Sequence, residues 1–282
     1  MFSATETDRT FRETVERLRV PGMGTEVVAP LLEHLVHLVR PRRVLEIGMG
    51  YTTPFLARAL TDIAARHAAE ADALAAKSQP YVARGRPVDA SWIEAEPALL
   101  VPGEYRERFD PVFAAVDDLS MADSSAPAVR EVLEELGLAG AVTVINARMR
   151  DCVDLLPERL LPIDFAWVDA WDCLYFFDKF WDLVNPDGGI VAFHYLMTYP
   201  EGEAVLEYIA ETQRLRPGGF EVVSFLESHK LRQNSLTVLR RTDGAASRRY
   251  SDEQQRPRLE AALQRDAAAL VAQRTALRAG GG

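Results

Sequence analysis

Four short stretches hold residue types able to grip a polar ligand or move a proton. They are Glu46 with Gly48 and Gly50, Asp117 with Asp118, Asp169 with Asp172, and His194 with Tyr195. A carboxylate at the end of an apolar run, followed at once by two glycines, is costly unless the chain turns tightly or something lies against its backbone. Those glycines fit a turn with no Cβ in the way, leading into a helix whose first N–H groups are free. A nucleotide-type ligand needs a second anchor, and a carboxylate ending the next strand can accept both hydroxyl protons of a ribose. Asp117 is favoured for that, with Asp118 capping the following helix or facing water. The bland alternative is plain turn glycines, with Glu46 held by N–H groups of the glycine loop. Histidine has the acidity for general base work, and of the five in the chain only His194 falls at a strand end of this kind. The alternatives are a structural hydrogen-bonding histidine, or a metal site formed by Asp169, Asp172 and His194, a donor set suited to Mn, Fe or Zn.

These residues converge only if particular elements carry them. Apolar periodicity predicts helices over 7–19 and about 25–39, then a strand over 43–47 and a helix from Thr53 to Lys77. Residues 78–108 contain Pro80, Pro87, Pro97 and Pro102 and no sustained period, which reads as an insert or lid. Further strands are expected at 111–120, 141–147, 163–170 and 190–196, with helices near 125–137, 152–160, 174–184 and 201–214 between them. Strands at 220–226 and 235–241 have no helix between them and should pair antiparallel. The fold class that follows is α/β: a doubly wound, mostly parallel, seven-stranded sheet closed by an antiparallel C-terminal hairpin. In such sheets ligands bind beyond the C-terminal strand ends, at the point where strand order reverses. The organisation implied is an N-terminal helical cap (1–41), a main domain (42–242) containing the insert, and a C-terminal helix (243–282).

Bulk properties narrow the classes. The chain has 282 residues and a formal charge of −10, which argues against an indiscriminate nucleic-acid binder. Cys152 and Cys173 lack metal-ligand spacing and read as reduced thiols. No secretory leader and no apolar run of membrane-spanning length is visible, so a soluble, cytoplasmic protein is expected. In the run from Phe165 to Trp181 most aromatics must be core, with Trp171 and Tyr175 the better pocket candidates. Tyr51 and Trp92 can cover a site, and Arg148 or Arg150 can receive an anionic acceptor. Leu259, Leu263, Leu270 and Leu277 recur at near-heptad spacing, so the last helix docks on its own domain or on a partner chain, with a homodimer slightly favoured.

The stretch "VLEIGMGYTTPFLARAL", continued by "VDD", "RDCVDLLPERL", "IDFAWVDAWD" and "NPDGGIVAF", resembles the class I S-adenosylmethionine-dependent methyltransferases, in their small-molecule O-methyltransferase-like branch. The resemblance covers roughly residues 25–240. It implies a Rossmann-like methyltransferase fold, S-adenosyl-L-methionine as cofactor and a small-molecule acceptor methylated on oxygen or nitrogen. It further implies that Glu46, Gly48, Gly50, Tyr51 and Thr52 cradle the methionine part and ribose. Asp117 would hold the ribose hydroxyls, with Asp118 beside it, and Asp151 and Cys152 would contact adenine. Asp169 would face the methionine amino group or the acceptor, which Trp171, Tyr175, Tyr195 and Arg148 would help to bind. Metal-dependent members of this branch usually carry Asp-Asn where this chain has His194 and Tyr195, and a lysine is common at Asp172; the standard metal site is therefore not expected. The rival readings are a nicotinamide-dependent oxidoreductase, another transferase on the same fold such as an aminopropyl transferase, and a non-catalytic cofactor-binding partner protein.

Overall fold

Strands buried on both faces read as unbroken apolar runs rather than alternating ones. The computed structural model, which describes residues 4–86, 88–229, 234–244 and 256–280, shows four such runs side by side. They are β1 (Arg43–Ile47), β2 (Val112–Asp117), β4 (Phe165–Val168) and β5 (Ile190–His194), with every residue of β4 and β5 buried. With β3 (Thr143–Asn146), β6 (Phe220–Leu226) and β7 (Ser235–Arg241) they form one sheet in the order β3-β2-β1-β4-β5-β7-β6. All neighbours are parallel except β5–β7 and β6–β7, so the expected antiparallel closure is present. Strand order reverses between β1 and β4, which makes that gap the crevice to examine.

The helices are α1 (Ala4–Val15), α2 (Thr25–Val39), α3 (Thr53–Ala83), α4 (Ala90–Glu94), α5 (Ala126–Glu135), α6 (Cys173–Phe180), α7 (Glu201–Leu215) and α8 (Arg256–Gly280). The aromatic run after β4 is mostly core, as its length requires: Phe176 stacks on Phe180 with ring centroids 4.6 Å apart and meets Phe193 of β5 edge-on at 5.8 Å. The helix expected across 152–160 is absent. Two single 3₁₀ turns, Val153–Leu155 and Glu158–Leu160, replace it, because Pro157 offers no N–H and Leu156 before it is extended at ψ 131°.

Contacts divide the chain into two units: residues 1–61 with 111–248, and 62–110 with 249–282. The first holds the sheet. In the second, α3 continues past Lys77 and through Pro80 to Ala83, further than its sequence suggests. Tertiary packing outweighs the proline there. Ala71, Leu74 and Ala75 are buried with Trp92, Tyr105, Ala267 and Leu270, and the Trp92 indole N–H donates to Ser78 at 3.2 Å. Much of 78–108 is thus packed structure rather than open loop. Trp92 is 2% exposed inside that core, so it is not an open cover for a site. Leu263 and Leu270 of α8 pack in the same cluster while Leu277 is exposed; the side chain of Leu259 and residues 251–255 lie outside the described residues. No helix among the described residues is long and apolar enough to cross a membrane.

A part-buried ion pair, in which Arg58 also donates to Asp8 at 3.1 Å, anchors α2 and with it the loop that precedes it. Arg58 of α3 donates to both oxygens of Glu33 at 2.8 and 2.9 Å, and its guanidinium lies 3.6 Å above the Phe11 ring. Removing one partner strands the other charge out of water. Arg58→Met is therefore expected to destabilise the protein by about 3 kcal/mol in urea denaturation, and the double variant with Glu33→Met to recover most of that loss.

Candidate active site

The register of the four buried strands sets a row of residues at their C-terminal ends. Val116, Ile47, Val168 and Phe193 are lateral neighbours on β2, β1, β4 and β5. The next residue of each strand therefore joins one row across the crevice: Asp117, Gly48, Asp169 and His194. Gly48 sits in this row with φ +89°, and a Cβ there would come within 2.5 Å of the Asp169 carbonyl oxygen. Only glycine satisfies both the left-handed backbone and that approach.

Glu46 lies two residues before Gly48, on the same face of β1. It is fully buried, and its Oε1 accepts a 2.6 Å hydrogen bond from the Thr52 hydroxyl. The glycine-loop amides do not hold it. Met49 N–H donates to Asp117 Oδ2 at 2.9 Å and Gly50 N–H to the Thr53 hydroxyl at 3.0 Å, so neither is free for a ligand. Burial pushes the Glu46 carboxyl up to about 8, opposed by the threonine hydroxyls and reinforced by the charges of Asp169 and Asp117. Thr52 is buried and committed to Glu46, whereas Tyr51 is half-buried with its ring 5.3 Å from Phe55.

Of the two acids after β2, Asp117 faces the glycine loop. Its Oδ1 accepts from Ser124 at 2.7 Å, and each of its oxygens keeps a second lone pair. Asp118 turns away to Ser120 and Arg148, and those hydrogen bonds hold its carboxyl below the usual range. Arg148 thus has an internal partner for its Nε–H, while its side chain stays largely exposed. Arg150 likewise donates twice to Asp172, at 2.9 and 3.2 Å, and covers the Tyr175 ring. Asp172, Tyr175 and both arginines stand outside the cavity described below. Asp151 is exposed after β3, while Cys152 is fully buried with its thiol donating to the Met149 carbonyl and pushed up to about 11 by burial. A thiol so placed presents nothing to a ligand.

His194 is held at both nitrogens. Asn234, between β6 and β7, donates from Nδ2 to the Gly24 carbonyl at 3.0 Å, which turns its Oδ1 toward His194 Nε2 at 2.8 Å. That oxygen accepts only, so Nε2 carries a proton; this assignment follows from the hydrogen-bond network. Nδ1 lies 2.9 Å from Asp169 Oδ1, within hydrogen-bond distance. Both ring nitrogens of His194 thus have partners inside the protein, the arrangement expected of a hydrogen-bonding histidine. With His194 so bound and Asp172 paired to Arg150, the three are not arranged as a metal cage, and among the described residues no group of three or more His, Cys, Asp or Glu is placed to hold a metal ion.

A cavity of about 220 Å³ opens beside this chain of hydrogen bonds, lined by Met23, Asp169, Trp171, His194, Tyr199 and Glu201 among others. Trp171 is 78% exposed, and its ring centroid lies 4.9 Å from that of Tyr199. Tyr195 also lines it and ends β5 at φ +64°, a left-handed turn rare outside glycine and often found at functional sites. Asn234, Tyr199 and Glu201 were not singled out in the sequence. Glycine at position 24 was a signal for Asn234: its φ is +76°, and a Cβ there would meet the Asn234 amide at 2.5 Å.

No protein-family model matches the chain, and no curated protein matches it. Solved structures do. The O-methyltransferase TomG of Streptomyces achromogenes, involved in tomaymycin synthesis and crystallised with S-adenosylmethionine, superposes with a TM-score of 0.54 at 19% identity, over 86% of this chain and 92% of its own. Cofactor-bound Rv0187 from MTB gives 0.52 at 14% identity, over 84% and 89%. An O-methyltransferase from Bacillus cereus in complex with S-adenosylhomocysteine gives 0.51 at 13%, over 85% and 92%. At such identities the likeness is one of fold: the chain has the Rossmann-like methyltransferase fold over most of its length.

The raised Glu46 carboxyl makes stability depend on pH with a definite sign. Its folded value of about 8 lies above the ordinary 4.5, so its contribution is fully present below 4.5 and is lost as pH rises through 8. Glu46→Gln removes that dependence. Urea denaturation should find the variant gaining on the natural protein as pH rises from 5 to 8.5, by on the order of 1–3 kcal/mol at the upper end.

Proposed function

We propose that the chain is an enzyme, an S-adenosylmethionine-dependent methyltransferase of class I that acts on a small organic molecule. The observation that carries this reading is the row at the switch point: Asp117 and Asp169 on either side of Gly48, a position closed to side chains, with Glu46 beneath it. Three carboxylates around bare backbone suit a ligand with ribose hydroxyls at one end and positive charge at the other. The Glu46 oxygen Oε2 is buried and has no hydrogen-bond partner among the described residues, which fits a cationic or proton-donating group nearby.

In this reading Asp117 accepts the ribose hydroxyls through its remaining lone pairs. Glu46, Gly48, Gly50 and Tyr51 border the methionine part, Asp151 borders adenine, and Asp169 stands between cofactor and acceptor. Bound there, the cofactor supplies a methyl carbon on a positively charged sulfur. Transfer from such a donor is an in-line displacement, and the protein's task is to align the two reactants and exclude water. Asp169, fixed by His194, orients the acceptor by hydrogen bonding from the side of the 220 Å³ cavity. A cavity of that size and a net charge of −10 favour a small metabolite over a nucleic acid.

Titration calorimetry with S-adenosylmethionine and S-adenosylhomocysteine tests the proposal. Saturable one-to-one binding is expected, and Asp117→Asn should weaken it by about tenfold or more while the circular dichroism spectrum is unchanged. The absence of saturable heat from well-folded natural protein would end the reading.

A further inference from the structure

The cavity beside Asp169 has a wall of one chemical character. Its rings are Trp171, Tyr195 and Tyr199, and its ionisable groups are Asp169, His194 and Glu201, with Cys173 the remaining thiol. No lysine or arginine among the described residues lines it. The nearest guanidiniums considered for an anionic acceptor, Arg148 and Arg150, are paired with Asp118 and Asp172.

Hydrogen-bond polarity sharpens the contrast. Several of the N–H donors that a carboxylate or phosphate would require are already committed. Both nitrogens of His194 are engaged, by Asn234 and by Asp169. At the start of α7, Gly202 and Glu203 give their N–H groups to the carbonyls of Tyr199 and Pro200. The acceptors remain: Asp169 Oδ2, the oxygen turned away from His194, and the exposed carboxylate of Glu201. The open face of Trp171 offers negative π density at the same mouth.

We infer that this cavity takes an amine-bearing aromatic molecule as the methyl acceptor and rejects carboxylate-bearing ones. The cationic nitrogen lies between the carboxylates of Asp169 and Glu201 and the Trp171 ring. An anion placed there would lose water and meet the like charge of Asp169 and Glu201, with no lysine or arginine among the described lining residues to offset it. This inference rests on the methyltransferase reading for the word acceptor, but the charge preference of the cavity belongs to its wall alone.

Three probes that share one ring and differ only in the end group separate the possibilities: tryptamine, tryptophol and indole-3-propionate. Each is titrated into the full chain saturated with S-adenosylhomocysteine, and again into the chain without it. Tryptamine is expected to bind at least ~10-fold more tightly than tryptophol, with indole-3-propionate weaker still. Glu201→Gln, at an exposed helix start, should cut tryptamine affinity by about fivefold and leave S-adenosylhomocysteine affinity unchanged. Equal binding of the three, preference for the acid, or no binding of any overturns the inference while a normal S-adenosylhomocysteine isotherm leaves the cofactor reading standing. Failure of S-adenosylhomocysteine itself defeats that reading, and the amine preference is then decided by the isotherms taken without it.

Discussion

The lateral alignment of β2, β1, β4 and β5 is the constraint on which the site depends. Parallel pairing at Val116, Ile47, Val168 and Phe193 brings Asp117, Gly48, Asp169 and His194 into line. A shift of one residue in any strand would turn its terminal side chain to the other face of the sheet and break the row. The buried apolar runs that lock this register therefore also set the chemistry. Gly48 is the hinge of the arrangement: with a side chain there, β1 and the end of β4 cannot approach as they do.

Around that row the protein concentrates acid where folding alone would avoid it. Glu46 is fully buried, and Asp117 and Asp169 both push its carboxyl upward. Each acid is restrained differently. Glu46 leans on Thr52, Asp117 on the Met49 amide and Ser124, and Asp169 on an imidazole that is itself tied to Asn234. The last of these links three distant segments: Gly24 before α2, the end of β5, and the connection between β6 and β7. The Arg58–Glu33 pair that fastens α2 thereby supports the position of Gly24, and through it the aim of Asp169.

Much of this was legible along the chain because its physics is local. An apolar run ending in acid and two glycines marks a strand, a turn and a helix start without further information, and β1 and the start of α3 fall where that pattern puts them. The closing hairpin was equally plain, since the connection between its strands has no room for a crossover helix. Two local rules misled. Periodicity alone suggested a helix across 152–160 that Pro157 breaks into 3₁₀ turns, and Pro80 suggested an end to α3 that the packing of Leu74 and Ala75 overrides. In both cases a proline decided the reading, once too little weighted and once too much.

The linear sequence determined the fold class, the order of strands and helices, and which acids and glycines fall at strand ends, because those follow from periodicity, turn chemistry and the side-chain needs of buried strands. Tertiary structure alone decided what those residues do. Whether His194 is a base or an orienting donor depends on Asn234, forty residues later, and on the carbonyl of Gly24, far earlier. Whether Arg148, Arg150 and Asp172 meet a ligand depends on the ion pairs they find first. Hydrogen-bond direction and charge pairing are settled between atoms brought together in space, and no spacing along the chain encodes them.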